Sequence, residues 1–523
     1  MKPFSFLSAV LLTGSILLSN RALAGSATWN LNPTSANWNT AANWTPNTVP
    51  NSPSDTASFD VSNSSNVTLS SDTSVAGIVF NSGASAYNIN TGVHVLSIYN
   101  AGVINNSGSP QEFVLPVDSS GDQGWIQFFN SATAGTDTAY TVQGSVFGSL
   151  GGVVSFSDTS TADGASFVIE GPGGTSNTAG GRVQFLANST AGNANFVVNP
   201  GVGISTRAFV AFDETANGGN AIITANGSSL STGGGGLAFF GGDSDAGNAT
   251  VIANGTQPDY AAGTITFTDA ASGGNAQIKL FGTGTLDITA VNHPALTIGS
   301  LQGDGDVTLG GQTLAVGRNN LSRRFDGVIS GPGSLMKIGN GRFTLTNANT
   351  YTGGTTVQHG TVILHSKIAE SITGPGKVTV NGGKLKGNGV IAGDVLVGSG
   401  SGPGAVIEAQ PAHGGVYLTL QKRVIMNSDA TYRIDLDSDD GSYGSVIAKG
   451  VTINNASFAI LDSGNSSLAG VELVVINNNG TAPISGTFSN LPDGGTIVVG
   501  PNIFQANYEG GDGNDLTLTV VND

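Results

Sequence analysis

Six short segments of this chain end on phenylalanine at a nearly constant spacing. They are Ile126-Gln-Phe128, Val154-Ser-Phe156, Val183-Gln-Phe185, Val210-Ala-Phe212, Ala238-Phe-Phe240 and Ile265-Thr-Phe267. The positions of successive phenylalanines differ by 28, 29, 27, 28 and 27. After each comes a turn rich in Asn, Asp, Ser, Thr and Gly. Nine residues past Phe, five copies have Ala: Ala165, Ala194, Ala221, Ala249 and Ala276. Alternating apolar positions follow, as in Ala165-x-Phe167-x-Ile169, and the first copy is degenerate in this second strand. Alternation puts one side chain in and the next out. One unit is too small to bury its inward face, so units must stack and bring Phe onto Phe. A step of about 28 residues is too short for a propeller blade of about 40–45. It fits one coil of a β-solenoid. If all of the chain after residue 24 coils, a rise of about 4.8 Å per coil makes a rod of roughly 80 Å.

Composition supports an all-β reading. Charged residues are 10% of the chain, against a usual value of about 25%. Glycine accounts for 79 of 523 residues, without the three-residue period of collagen. The residues in excess are poor helix formers. The formal charge is −17, which disfavours nucleic acid and anionic membrane as partners. With no cysteine, disulfides, zinc–thiolate sites and cysteine nucleophiles are excluded.

Lys2, an apolar run from Phe4 to Leu18 and the small-x-small motif Ala22-Leu23-Ala24 read as an export signal, with Gly25 as the new start. No other stretch is long enough to span a membrane as a helix. Residues 25–115 form an N-terminal cap and first β coils. There Trp29, Trp38 and Trp44 lie within sixteen residues. They read as a seal on the open end of the stack, or alternatively as a sugar-stacking platform. Residues 116–290 hold the six-copy array.

From 291 the pattern changes. Gly331-Pro-Gly333-Ser-Leu335-Met-Lys337, Gly339-Asn-Gly341-Arg-Phe343-Thr-Leu345 and Asn349-Thr-Tyr351-Thr-Gly353-Gly354-Thr-Thr-Val357 follow one another. This stretch resembles the autotransporter-associated β-strand repeat, over residues 327–364 and more weakly around them. The resemblance implies a right-handed parallel β-helix of passenger type, secreted or displayed at a bacterial surface. Residues 291–411 are assigned to this repeat region and 412–523 to a C-terminal β region. The chain ends at Asp523 with no room for a translocator barrel, so a separate tether or translocator is expected.

Chemistry-bearing residues are sparse. Gly510-Gly-Asp-Gly-Asn-Asp515 fits one opening of a calcium nonapeptide, but calcium there needs successive turns, and a glycine-rich final turn is expected. Asp435-Leu-Asp-Ser-Asp-Asp440 reads as an acidic loop without the twelfth-position Glu of an EF-hand. Its Asp435 and Asp437 fall on one, outward strand face. Asp304 with Asp306, or Asp243 with Asp245, could reach glycosidase spacing, yet each pair sits in a turn-like context. Arg323-Arg324 and Lys422-Arg423 are the basic pairs. His94, His293, His359, His365 and His413 show no metal-ligand spacing, and His359 and His365 are expected to face solvent. No catalytic, cofactor-binding or metal residue is therefore assigned. The expected function is a structural or adhesive solenoid without catalysis, with cell-surface or matrix polysaccharide as a possible partner. The alternative is a carbohydrate-binding or polysaccharide-cleaving β-helix. Outward positions of the array are read as Ser, Thr, Asn, Gln and Ala.

Overall fold

The computed structural model describes residues 25–146, 150–174, 178–202, 207–365, 370–412 and 417–521. The leader and its cleavage motif, and His413, lie outside them. The chain is almost wholly short parallel strands, each paired with the equivalent strand one coil away. One sheet holds fourteen strands; at about 4.8 Å per strand it is roughly 60 Å long. Through the array each coil places one strand in this sheet and a second in the facing sheet. For example, Val153–Phe156 pairs with Arg182–Phe185, while Ser166–Ile169 pairs with Asn195–Val198.

The phenylalanine step becomes an interior ladder. Phe128, Phe156, Phe185, Phe212, Phe240 and Phe267 are register partners in sequence order. Their rings stack at 4.6–4.9 Å with interplanar angles of 4–10°, and none is exposed to solvent. A second ladder faces it: Phe113, Tyr140, Phe167 and Phe196 stack at 4.8 Å. The two meet edge to face, as between Phe185 and Phe196 at 5.8 Å and 86°, an arrangement favoured by the ring quadrupoles. The first copy, degenerate in sequence, is regular in space. Tyr140 takes the place of Phe167 one coil away, and its hydroxyl donates to the Ala134 carbonyl at 2.8 Å.

Turns stack as the strands do. Asn130, Asp158, Ala187, Glu214, Gly242 and Asp269 occupy one corner column, all left-handed with φ of 53–58°. In the next corner Gly219 has φ +58°, and a Cβ there would sit 2.4 Å from the Gly192 carbonyl oxygen, so only glycine fits. Asparagine side chains bond in series outside these corners. Asn275 donates to Asn248, Asn248 to Asn220 and Asn220 to Asn193, at 3.0–3.2 Å.

Coil length falls after the array. Thr264 pairs with Thr285 and Thr285 with Asp306, so the step from Thr264 to Thr285 is 21 residues. The stack is sealed at both ends. Trp29, Trp38 and Trp44 are 1%, 0% and 0% exposed and pack around Phe59 at 5.5–6.2 Å. Their indole N–H groups donate to the carbonyls of Ser64, Pro50 and Trp38. Rings buried this way cannot stack on sugar, which removes the platform reading for these three. At the other end the pairing turns antiparallel: Glu472–Asn478 and Asn502–Gly510 flank Asp515–Val520. The Gly510–Asp515 segment is the hairpin turn here, and Asp515 accepts the Asn478 N–H at 2.8 Å.

Candidate functional site

Three polar or aromatic constellations, one inside the stack, one largely buried and one on the outer surface, are each set by register. In the repeat region, Ser334–Lys337, Arg342–Leu345 and Thr355–Val357 form successive sides of the coils. Lys337 points inward and is 1% exposed. Its ammonium donates to the Ile338 and Gly339 carbonyls, the latter at 2.8 Å, and burial pushes its pKa down to about 8. Asn349 ties three coils together. Its Oδ1 accepts from the Ile329 N–H at 2.7 Å, and its amide donates to the Ile372 carbonyl at 2.7 Å. Tyr351 is buried and pairs with the Thr355 hydroxyl at 2.6 Å. Lys, Asn and Tyr of the motif thus satisfy backbone and core groups inside the stack. Replacing Asn349 by Ala strands these groups, and a loss of about 1–2 kcal/mol is expected in denaturant unfolding; an unchanged midpoint would contradict the latch.

The second constellation lies on the C-terminal coils. Lys386, Glu408 and Arg433 are register partners across three strands. The Glu408 side chain is 1% exposed and contacts Lys384 at 3.0 Å, Lys386 at 3.1 Å, and Arg433. Burial alone would raise its pKa; the three cations overcome this and hold it below the usual carboxylate range. Asp435 stands two residues beyond Arg433 on the same face. Burial, then the Glu408 charge, raises its pKa, and Gln410 donates to it at 3.2 Å. Asp435 and Asp437 do share one face, but within the strand Ala430–Asp437 and not in a loop. A carboxylate held by three cations is a clamp, with Lys386 on Oε1 and Lys384 and Arg433 on Oε2.

The third constellation is the outer face of the long sheet. Trp125, Val153, Arg182, Phe209 and Leu237 follow one another in register in the outward phase; Val153 is covered and the others are half-buried. Beside it run Gln184, Ala211 and Phe239. The outward positions are therefore not confined to small polar residues. Phe209, Leu237 and Phe239 are half-buried and line a shallow groove of about 220 Å³ with Gln184, Leu186 and Asp213. Tyr99 and Phe129 stack farther along the same face, at 5.0 Å.

The residues singled out from sequence are mostly engaged in turns. Asp304 accepts the Gly282 N–H at 2.9 Å and Asp245 the Gly247 N–H at 2.5 Å. Asp243 is exposed, and Asp306 opens the strand Asp306–Thr308. Arg324 pairs with Asp326 and Arg423 with Asp394, while Arg323 donates to Gln277 at 3.0 Å. His94 lies 3.8 Å from Asp72 and His293 contacts the Ala271 carbonyl. His359 is exposed and His365 half-buried. Among the described residues no three His, Asp or Glu side chains gather as metal ligands. Neither the Glu408 clamp nor the outward aromatic column was anticipated from sequence.

Residues 335–364 match the family described as Passenger-associated-transport-repeat. The chain carries a passenger-type autotransporter repeat. The match covers the strands from Leu335 to Leu364, where Lys337, Asn349 and Tyr351 lock the coils. Over 104 residues the chain is 39% identical to the Adhesin BmaC autotransporter of Brucella suis biovar 1 (strain 1330). That stretch is 18% of this chain and 3% of the adhesin, so the passenger-type similarity spans a small part of that protein. The Haemophilus influenzae Hap adhesin structure aligns over 89% of this chain and 64% of its own, at 12% identity and a TM-score of 0.28. The assignment of the fold rests on this chain's own strand registers and ring ladders.

Proposed function

We propose that this chain is an exported β-solenoid that acts at a cell surface by adhesion and not by catalysis. The carrying observation is the division of labour between inside and outside. Repeated identity lies in the interior ladders, and one member of each carboxylate pair that could reach glycosidase spacing, Asp245 and Asp304, accepts a backbone N–H in a turn. The adhesin and passenger relatives support surface contact as the role, and a separate translocator or tether fits the same reading. Among the described residues no helix is long and apolar enough to cross a membrane. The changes near residues 115, 290 and 411 are, on this reading, changes of coil type within one stack.

The test is to immobilise the purified exported chain on beads and measure retention on cell surfaces and matrix. In parallel, acidic and neutral polysaccharides are followed for reducing ends and unsaturated products. Retention without turnover is expected. Sustained turnover that disappears in Asp243→Asn/Asp245→Asn or Asp304→Asn/Asp306→Asn would overturn the non-catalytic reading. Export also has a direct readout: intact-mass spectrometry of secreted material should find Gly25 as the first residue, and a retained Met1 would contradict processing.

A further inference from the structure

Outward side chains of the array mix small polar residues with larger ones, and the coils from Arg182 to Phe239 bring three large apolar side chains together. Phe209, Leu237 and Phe239 lie in the outward phase, where the interior ladder has no use for them. Phe239 is laid down on the sheet: a Cβ at Gly241 would fall 2.7 Å from its ring carbon Cε1. The glycine leaves room for the ring to lie against the backbone. Gln184 and Asp213 line the same groove, so it offers apolar surface, an amide and a carboxylate together. That is the mixture found in sites for small polar ligands with an apolar face.

Arg182 adds charge. It is the register partner of Phe209, and Gln184 follows it two residues on in the same strand. The residue is half-buried. Burial pulls its pKa down, and among the described residues no carboxylate forms an ion pair with it. Arginine stays protonated even so. A partly desolvated cation without a counter-charge is costly in the free protein and gains most from an arriving anion. A carboxylate suits its planar fork.

We propose that this groove binds a polysaccharide bearing carboxylate groups, with sugar rings stacked on Phe209 and Phe239 and a uronate carboxylate on Arg182. The proposal rests on the adhesive reading and gives it a ligand class. A chain lying along the solenoid axis passes from Arg182 to Phe239 in two coils, about 10 Å, within reach of a short oligosaccharide. Asp213 and Gln184 then meet hydroxyl groups at the edge of the rings. Hydroxyl-rich rings with an apolar C–H face fit such a surface, and the local attraction of Arg182 has to outweigh the formal charge of −17, which acts against any polyanion.

The experiment is titration calorimetry of the full exported chain with oligogalacturonate, and with neutral dextran oligomers as the second arm. Oligogalacturonate is expected to bind more tightly than dextran. Phe239→Ala should weaken it at least about tenfold, the usual scale for losing an aromatic anchor. Arg182→Gln should bring oligogalacturonate down to the dextran level, and Arg182→Lys should restore part of the preference. Ala211→Glu, which adds a like charge to the groove floor without removing packing, should abolish uronate binding and keeps the test valid if Phe239→Ala fails to fold. Absent oligogalacturonate binding, or binding unchanged in Arg182→Gln and Ala211→Glu, would overturn the proposal. So would a wild-type dimer in sedimentation that Phe239→Ala dissociates, since the face would then belong to a second copy of the chain. Cell retention that persists without oligogalacturonate binding defeats the groove and leaves the adhesive reading standing.

Discussion

Phe212→Ala should cost about 3–5 kcal/mol, the range for truncating a fully buried phenylalanine in a core that cannot collapse around the loss. Phe212 is unexposed and sandwiched between Phe185 at 4.7 Å and Phe240 at 4.9 Å. Both neighbours are fixed by parallel hydrogen bonds, so neither ring can move in to fill the space. Each coil contacts only its neighbours, so the penalty falls on local opening more than on the distant ends. Native-state hydrogen exchange is therefore the suitable measurement. Protection should drop in Phe209–Phe212 and its partners Arg182–Phe185 and Leu237–Phe240, and persist in the strands that hold Trp29 and Val520. The outward Phe239, replaced by Ala, should leave these amides almost unchanged. Equal effects from the two substitutions would contradict the inside–outside assignment.

Glu408→Gln should cost about 2–3 kcal/mol at neutral pH. Breaking a fully buried pair costs about 3–5, but here the three cations are 25–28% exposed and partly screened. The pH dependence follows from the direction of the shift. The folded pKa of Glu408 lies below its unfolded value, so the folded state holds fewer protons as pH falls through the acid range. Its contribution is complete above the unfolded value of about 4.3 and is lost as pH falls through the lowered folded value. Asp435 acts oppositely: its pKa is raised, so its ionisation costs stability as pH rises through the interval above about 3.9. Removing the Glu408 charge relieves part of that cost. Wild type and Glu408→Gln should thus differ most near neutrality and start to converge only as pH falls below the unfolded value of about 4.3, toward the lowered folded value. A constant difference across that range, in urea unfolding followed by intrinsic fluorescence, would show that the clamp is not electrostatic.

The interior was legible because its signal is local and repeated. An inward position that recurs once per coil must receive the same side chain if rings are to stack, and Phe128 through Phe267 met that demand. The second ladder was half visible. Phe167 and Phe196 belong to the alternation, but Tyr140 sits one residue later relative to Phe128 than Phe167 does to Phe156, and Ile223 replaces the ring above Phe196. The tryptophan seal could be read because terminal coils must close the core. The outward aromatics escaped notice for a different reason. In Phe209-Val-Ala-Phe212 and Leu237-Ala-Phe-Phe240 the last phenylalanine satisfies the interior pattern, so Phe209 and Phe239 add nothing to the periodicity. The Glu408 clamp was hidden by uneven coil length. Its partners Lys386 and Arg433 lie 22 and 25 residues away along the chain, and no fixed period aligns them. Register must be known before those charges meet.

That coils are interchangeable units stacked in register can be measured by deletion. Val153 and Arg182 are register partners, so removing residues 153–181 takes out one whole coil and lets Phe128 stack directly on Phe185. Thermal unfolding and far-ultraviolet circular dichroism of this chain should match the parent within about 5 °C, since the lost contacts between coils are replaced by equivalent ones. Removing only residues 153–166 shifts the stack by about half a coil and should abolish the cooperative transition. A whole-coil deletion as damaging as the half-coil deletion would contradict the stacked-coil architecture on which the ladders, the clamp and the outer groove all depend.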